Sequence, residues 1–137
     1  MLSRYGQKFP ATKENIDKLL SNANNKIVAA ADFLKLGHYN DAISRAYYAF
    51  FYAASAILIK KGYFAKTHKG VEILFEKKFI KTGEFPSGVG RWLARTRESR
   101  EEADYDLWRE YDKEQVKATI NAAKEFVKTV ENKIKFM

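Results

Sequence analysis

The chain contains no cysteine, so disulfide frameworks, thiolate metal sites and cysteine nucleophiles are all excluded. Two prolines and seven glycines in 137 residues are too few for a turn-rich all-β architecture. The glycine patterns of phosphate loops and dinucleotide-binding turns are missing. Of the two histidines, His38 and His68, neither has a second histidine three or four positions away, so no metal site is expected and no cofactor. No run approaches the ~20 apolar residues that span a bilayer, and residues Met1 to Gln7 lack the apolar core of a signal peptide. The expectation is a cytoplasmic protein without membrane association. Ser44 and Ser99 have no neighbouring histidine base, so neither is marked as a nucleophile.

What is present is an ordinary globular composition, 46% hydrophobic and 31% charged, long enough for one domain over residues 1–137 with a core of its own. The net charge of +8 is unevenly spread. Residues 60–100 hold eleven Lys/Arg against four Asp/Glu, whereas residues 101–137 hold seven against nine. A basic middle third is a candidate surface for nucleic acid or another polyanion. Lysines that only solvate exposed helix faces produce the same excess, so both readings stay open.

The most organised stretch runs from Tyr39 to Ala54, rich in alanine and aromatic residues. At about 100° per residue, Arg45, Tyr48, Ala49 and Tyr52 fall on one narrow helical face. Ala42, Ala46, Ala49, Ala53 and Ala56 form a seam of close helix approach, with Phe50, Ala54, Ile57 and Leu58 supplying bulk beside it. A helix this apolar belongs at the centre of a bundle, or in a bundle and a dimer at once.

Around it the pattern predicts four more helices. Pro10 and Thr12 precede the first, about Lys13 to Leu36, whose stripe includes Ile16, Ala23, Ile27 and Leu34. Gly37 ends it and Asn40 is the expected cap of the second, which runs to about Lys61 and stops at Gly62. Thr67 caps a third helix carrying Val71, Leu74, Phe75 and Phe79. A fourth, after Pro86, aligns Val89, Trp92, Leu93 and Thr96 ahead of a charged run. Asp112 to Gln115 has the form of a capping box opening a fifth. There Val116, Ile120, Ala123, Val127, Val130 and Ile134 predict a narrow seam. The fold class is therefore an all-α antiparallel up-and-down bundle of about five helices.

Extending the fourth helix's stripe by its own period reaches Arg100, so this arginine is expected to face inward or into an interface. A desolvated guanidinium requires oxygen acceptors. Asp104 one turn on and the hydroxyls of Tyr48 or Tyr52 are internal candidates, and a substrate phosphate is the external one. Arg45 raises the same question near a helix start, and Asp41 one turn earlier is an adequate partner. His68 follows the Thr67 cap, where a capping role or hydrogen bond is its expected use.

Four segments taken in order resemble the HEPN domain family: Ser44 to Ala54, Lys66 to Gly70, Phe79 to Gly83, and Arg100 to Tyr105. The resemblance spans roughly Asn24 to Lys133 and is closest to small stand-alone prokaryotic HEPN proteins encoded beside a minimal nucleotidyltransferase. It implies a helical bundle, commonly a homodimer with a cleft between protomers. Many members are metal-independent endoribonucleases acting as toxins, with an arginine followed after four to six residues by a histidine. Arg100 matches the arginine. The histidine has no counterpart: after four residues Arg100 is followed by Tyr105, and the window counted from Arg97 holds Glu102, Ala103 and Asp104. In some relatives the partner adds AMP to a tyrosine near the motif, and Tyr105 is the nearest such residue here.

Three readings follow. The first is an RNA- or nucleotide-binding component of a HEPN–nucleotidyltransferase pair, with Arg45, Tyr48, Tyr52, Arg97 and Arg100 as binding residues. The second is a metal-independent endoribonuclease using Arg100 with Tyr105 or Asp104. The third is a structural bundle in which Arg100 and Asp104 only fix packing.

Overall fold

A computed structural model describes residues 11–106 and 108–137. Among them are five α-helices and no strand: α1 Lys13–Lys35, α2 Tyr39–Lys60, α3 His68–Phe75, α4 Ser87–Tyr105 and α5 Lys113–Lys135. A π-helical turn, Glu76–Ile80, continues α3. The sequence boundaries hold to within a residue or two for α1, α2 and α5. Pro10 lies outside the described residues.

Local chemistry explains the ends. The Thr12 side chain accepts from the Asn15 backbone N–H at the start of α1, and Asp112 and Gln115 form a reciprocal capping box on α5. Gly37, Gly62 and Gly83 all have positive φ, the left-handed geometry that glycine enters without a Cβ penalty. Asn40 does not cap α2. Residue His38 holds the cap position without a side-chain capping bond, and the Asn40 amide, already inside the helix, donates to the Arg109 carbonyl at 3.1 Å.

Helix α2 is the centre. It packs most extensively on α1 and also against α5 and α4. Joined by only three residues, α1 and α2 form an antiparallel hairpin. The alanine seam, Ala42, Ala46, Ala49, Ala53 and Ala56, has no exposed surface. Bulk comes from rings: Phe75 lies 5.3 Å from Phe79, 5.2 Å from Phe85 and 5.5 Å from Phe126, centre to centre. The apolar face of α5 is wider than a heptad seam, because Thr119 and Phe126 join Val116, Ile120, Ala123, Val127 and Val130 in the interior.

One expectation needs correction. By length and composition α2 is apolar enough to cross a membrane. Its most apolar window is 67% buried inside the fold, which is how the core helix of a bundle behaves. The charged run after Thr96 belongs to α4, which continues through Tyr105 and holds Arg100 and Asp104 one turn apart, as the extended stripe predicts.

Candidate functional site

On α4, Leu93 and Thr96 are buried, and the next inward position is Arg100. Its side chain is 16% exposed. The guanidinium carbon lies 5.4 Å from the Tyr47 ring centre and 5.9 Å from that of Tyr48, a cation held over two aromatic faces supplied by α2. One terminal nitrogen, Nη1, donates to Asp104 Oδ2 at 2.8 Å, and the Ser44 hydroxyl donates to the other Asp104 oxygen at 3.3 Å. The Nε of Arg100 is buried without a hydrogen-bond partner among the described residues. A desolvated donor in a guanidinium is costly to leave unmatched, and the guanidinium, still 16% exposed, is a group suited to oxyanions.

His68 opens α3 beside this arginine. Thr67 caps the helix by accepting from the Gly70 N–H at 2.9 Å, so His68 is free of the capping duty expected of it. Its ring instead packs 4.3 Å from Phe51, 5.6 Å from Tyr47 and 5.8 Å from Tyr48. Burial, then the charge of Arg100, holds its pKa below the usual imidazole value, with Glu101 opposing. At neutral pH the imidazole is therefore uncharged and able to accept a proton. Burial pushes the Tyr47 phenol well above its ordinary pKa, against a smaller opposing effect of Arg100. Tyr47 is a neutral platform and not a base.

Arg97 forms the second layer. Its Nε donates to Glu72 of α3 at 2.6 Å and its Nη1 to Glu101 at 3.0 Å. The hydrogen bond to Glu72 is the main cause of its raised pKa. This bridge ties α4 to α3 and thereby fixes His68 relative to Arg100.

The residues singled out from sequence separate. Arg100, Asp104 and Tyr48 come together, and Arg97 stands behind them. Tyr52 adjoins the cluster, its ring 6.2 Å from that of Tyr48. Tyr105 is 84% exposed. Arg45 stands apart, its guanidinium carbon 5.7 Å from the Phe33 ring of α1, and it makes no ion pair with Asp41 among the described residues. The tyrosine hydroxyls expected on Arg100 are replaced by ring faces. His68, expected only to cap or hydrogen-bond at the start of its helix, instead packs on the rings that carry Arg100. It lies far from Arg100 in the chain, and the packing of α3 and α4 on α2 brings them together. Among the described residues no three His, Asp or Glu side chains converge as metal ligands.

The family profile described as HEPN domain matches residues 16–133. The chain belongs to the HEPN domain family. A Thermotoga maritima protein named "UPF0332 protein" is 37% identical over 101 residues, covering 74% of this HEPN chain and 76% of that protein. Two Methanocaldococcus jannaschii proteins bear the name "Putative toxin". One is 34% identical over 103 residues, 75% of this chain and 70% of its own. The other is 31% identical over 123 residues, 90% and 91% respectively.

Proposed function

We propose that this HEPN protein is the toxin-type component of a HEPN–nucleotidyltransferase pair, working as a homodimer that binds RNA through a backbone phosphate held by Arg100. The observation that carries this reading is the state of Arg100: buried on tyrosine rings, with a desolvated Nε donor that no acceptor among the described residues satisfies. A purely structural arginine is expected to satisfy its donors internally, as Arg97 does with Glu72 and Glu101. The names of the relatives support the toxin-type assignment. Anisotropy of a short fluorescein-labelled single-stranded RNA tests the binding. The Arg100→Ala variant, shown folded by circular dichroism, is expected to bind roughly tenfold more weakly. Equal affinity of variant and wild type overturns the role of Arg100.

A second reading, RNA cleavage without metal, is favoured by one observation: the neutral imidazole of His68 stands on the rings that carry Arg100. In that reading the imidazole takes the proton of a ribose 2′-hydroxyl. The 2′ oxygen bonds to phosphorus, the bond from phosphorus to the 5′ oxygen breaks, and water protonates the leaving oxygen. Products ending in a 2′,3′-cyclic phosphate, formed in EDTA and lost in His68→Ala, are the expected result. No cleavage by wild type on total cellular RNA overturns it and leaves the binding reading standing.

A further inference from the structure

Beside the Arg100 cluster, α3 with its π turn and α4 flank a cleft of about 620 Å³, within the size range of ligand sites. Four cations line it: Lys69, Lys77 and Lys81 from one wall and Arg91 from the other. None of the four has an ion-pair partner among the described residues. Of the two carboxylates in the lining, Glu72 is already neutralised by Arg97 at 2.6 Å. That leaves Glu76 against four positive charges.

The spacing is informative. Lys69, Ile73, Lys77 and Lys81 recur every four positions, so they form one stripe along α3 and the π turn. Like charges at this spacing, as in Lys77 and Lys81, destabilise a helix, and neither lysine is ion-paired among the described residues. Ile73 between them is 57% exposed, an apolar surface in the middle of the basic row. The wall is also irregular where the lysines cluster, since a π turn is rare and concentrates at functional sites. From Lys69 to Lys81 the row extends roughly 18 Å. That is too long for one phosphate and suits several phosphates in sequence. Its Lys69 end adjoins His68, and Glu72 in its lining holds Arg97, so the row leads into the Arg100 cluster.

We infer that the cleft between α3 with its π turn and α4 is a phosphate track for single-stranded RNA, seating nucleotides that flank the one held at Arg100. The inference rests on the proposed RNA-binding function. Lysines contact successive phosphates, and Ile73 offers its apolar surface to a ribose or base. A stripe of point charges gives affinity without reading sequence.

The test measures the salt dependence of anisotropy for a labelled mixed-sequence single-stranded RNA, with wild type, Lys77→Gln/Lys81→Gln and Arg100→Ala. Lys77 and Lys81 are exposed, so the double variant folds, which circular dichroism checks. Each phosphate contact contributes about 0.7 to the slope of log affinity against log salt for single strands, so the double variant is expected to lower it by about 1.4. Affinity at low salt should fall at least tenfold. An RNA too short to reach beyond the Arg100 site should respond to Arg100→Ala and ignore the lysine variant. An unchanged slope in the double variant, with RNA still bound, overturns the track and spares the Arg100 reading. Loss in the double variant with none in Arg100→Ala sustains the track and overturns Arg100 as anchor. Absence of RNA binding by wild type overturns both. Polyglutamate competing as well as RNA at equal charge overturns RNA as the occupant.

Discussion

Arg100 and His68 rest on the same two rings. The guanidinium carbon is 5.4 Å from Tyr47 and 5.9 Å from Tyr48, and the imidazole centre is 5.6 Å and 5.8 Å from them. Residues from two helices, far apart in sequence, are thus held as neighbours by a platform that α2 supplies. Because the positive charge of Arg100 lowers the His68 pKa, removing it should raise the titration midpoint. Burial is the larger cause, so in Arg100→Ala the midpoint should rise yet stay below the ordinary value of about 6.5. Carbon-detected NMR titration of labelled histidine checks this. A midpoint that stays put or falls would show that the two groups are not electrostatically coupled.

The same shift makes stability depend on pH with a definite sign. In the folded protein His68 has a lowered pKa, so between that value and about 6.5 the unfolded chain binds more protons. Stability from this group is full at neutral pH and above. It drains away as pH falls through about 6.5 toward the folded pKa. His68→Gln carries no such group. Melting temperatures followed from about pH 7.5 to pH 5 should show wild type losing more than the variant. Parallel curves would contradict the shift.

The ring cluster gives a prediction about the core. Phe75 is fully buried among Phe79, Phe85 and Phe126. Phe75→Ala removes a large side chain from a close-packed site and should cost about 3–5 kcal/mol. Conversely, Ala53 has no exposed surface, and Ala53→Leu forces extra volume into the seam at a cost of about 1–3 kcal/mol. Urea denaturation measures both. A loss below about 1 kcal/mol in Phe75→Ala would mean that the cluster collapses around the gap.

Much of this architecture was legible because helical periodicity and caps are local. The Asp112–Gln115 box, the Thr67 cap and the turning glycines are each decided by a few adjacent residues, and extending one stripe was enough to place Arg100 inward. What escaped was tertiary. Asn40 looks like a cap by type, but the helix begins one residue earlier and its amide reaches Arg109 across the fold. Arg45 had an acidic residue at ideal spacing, yet it lies over Phe33, because a guanidinium stem gains more from an aromatic face of α1 than from an exposed ion pair. His68 looked bland because its neighbours in sequence explain nothing about it. The lysine stripe showed only as an excess of charge until the π turn and α4 formed its walls.

Two caps separate stability from function. The Thr67 side chain accepts from the Gly70 N–H at 2.9 Å, and that of Asp112 accepts from the Gln115 N–H at 2.8 Å. Each replacement by alanine should cost about 1 kcal/mol, visible as a similar drop in the urea midpoint. Their effects on RNA should differ. Thr67 fixes the first turn of α3, which carries both His68 and Lys69, whereas Asp112 opens α5, which contributes nothing to the Arg100 cluster. Thr67→Ala should therefore weaken binding of a short labelled RNA and speed amide exchange at Gly70, and Asp112→Ala should leave affinity unchanged. Equal losses of affinity in both variants would mean that binding follows global stability, and the start of α3 would then have no particular part in holding RNA.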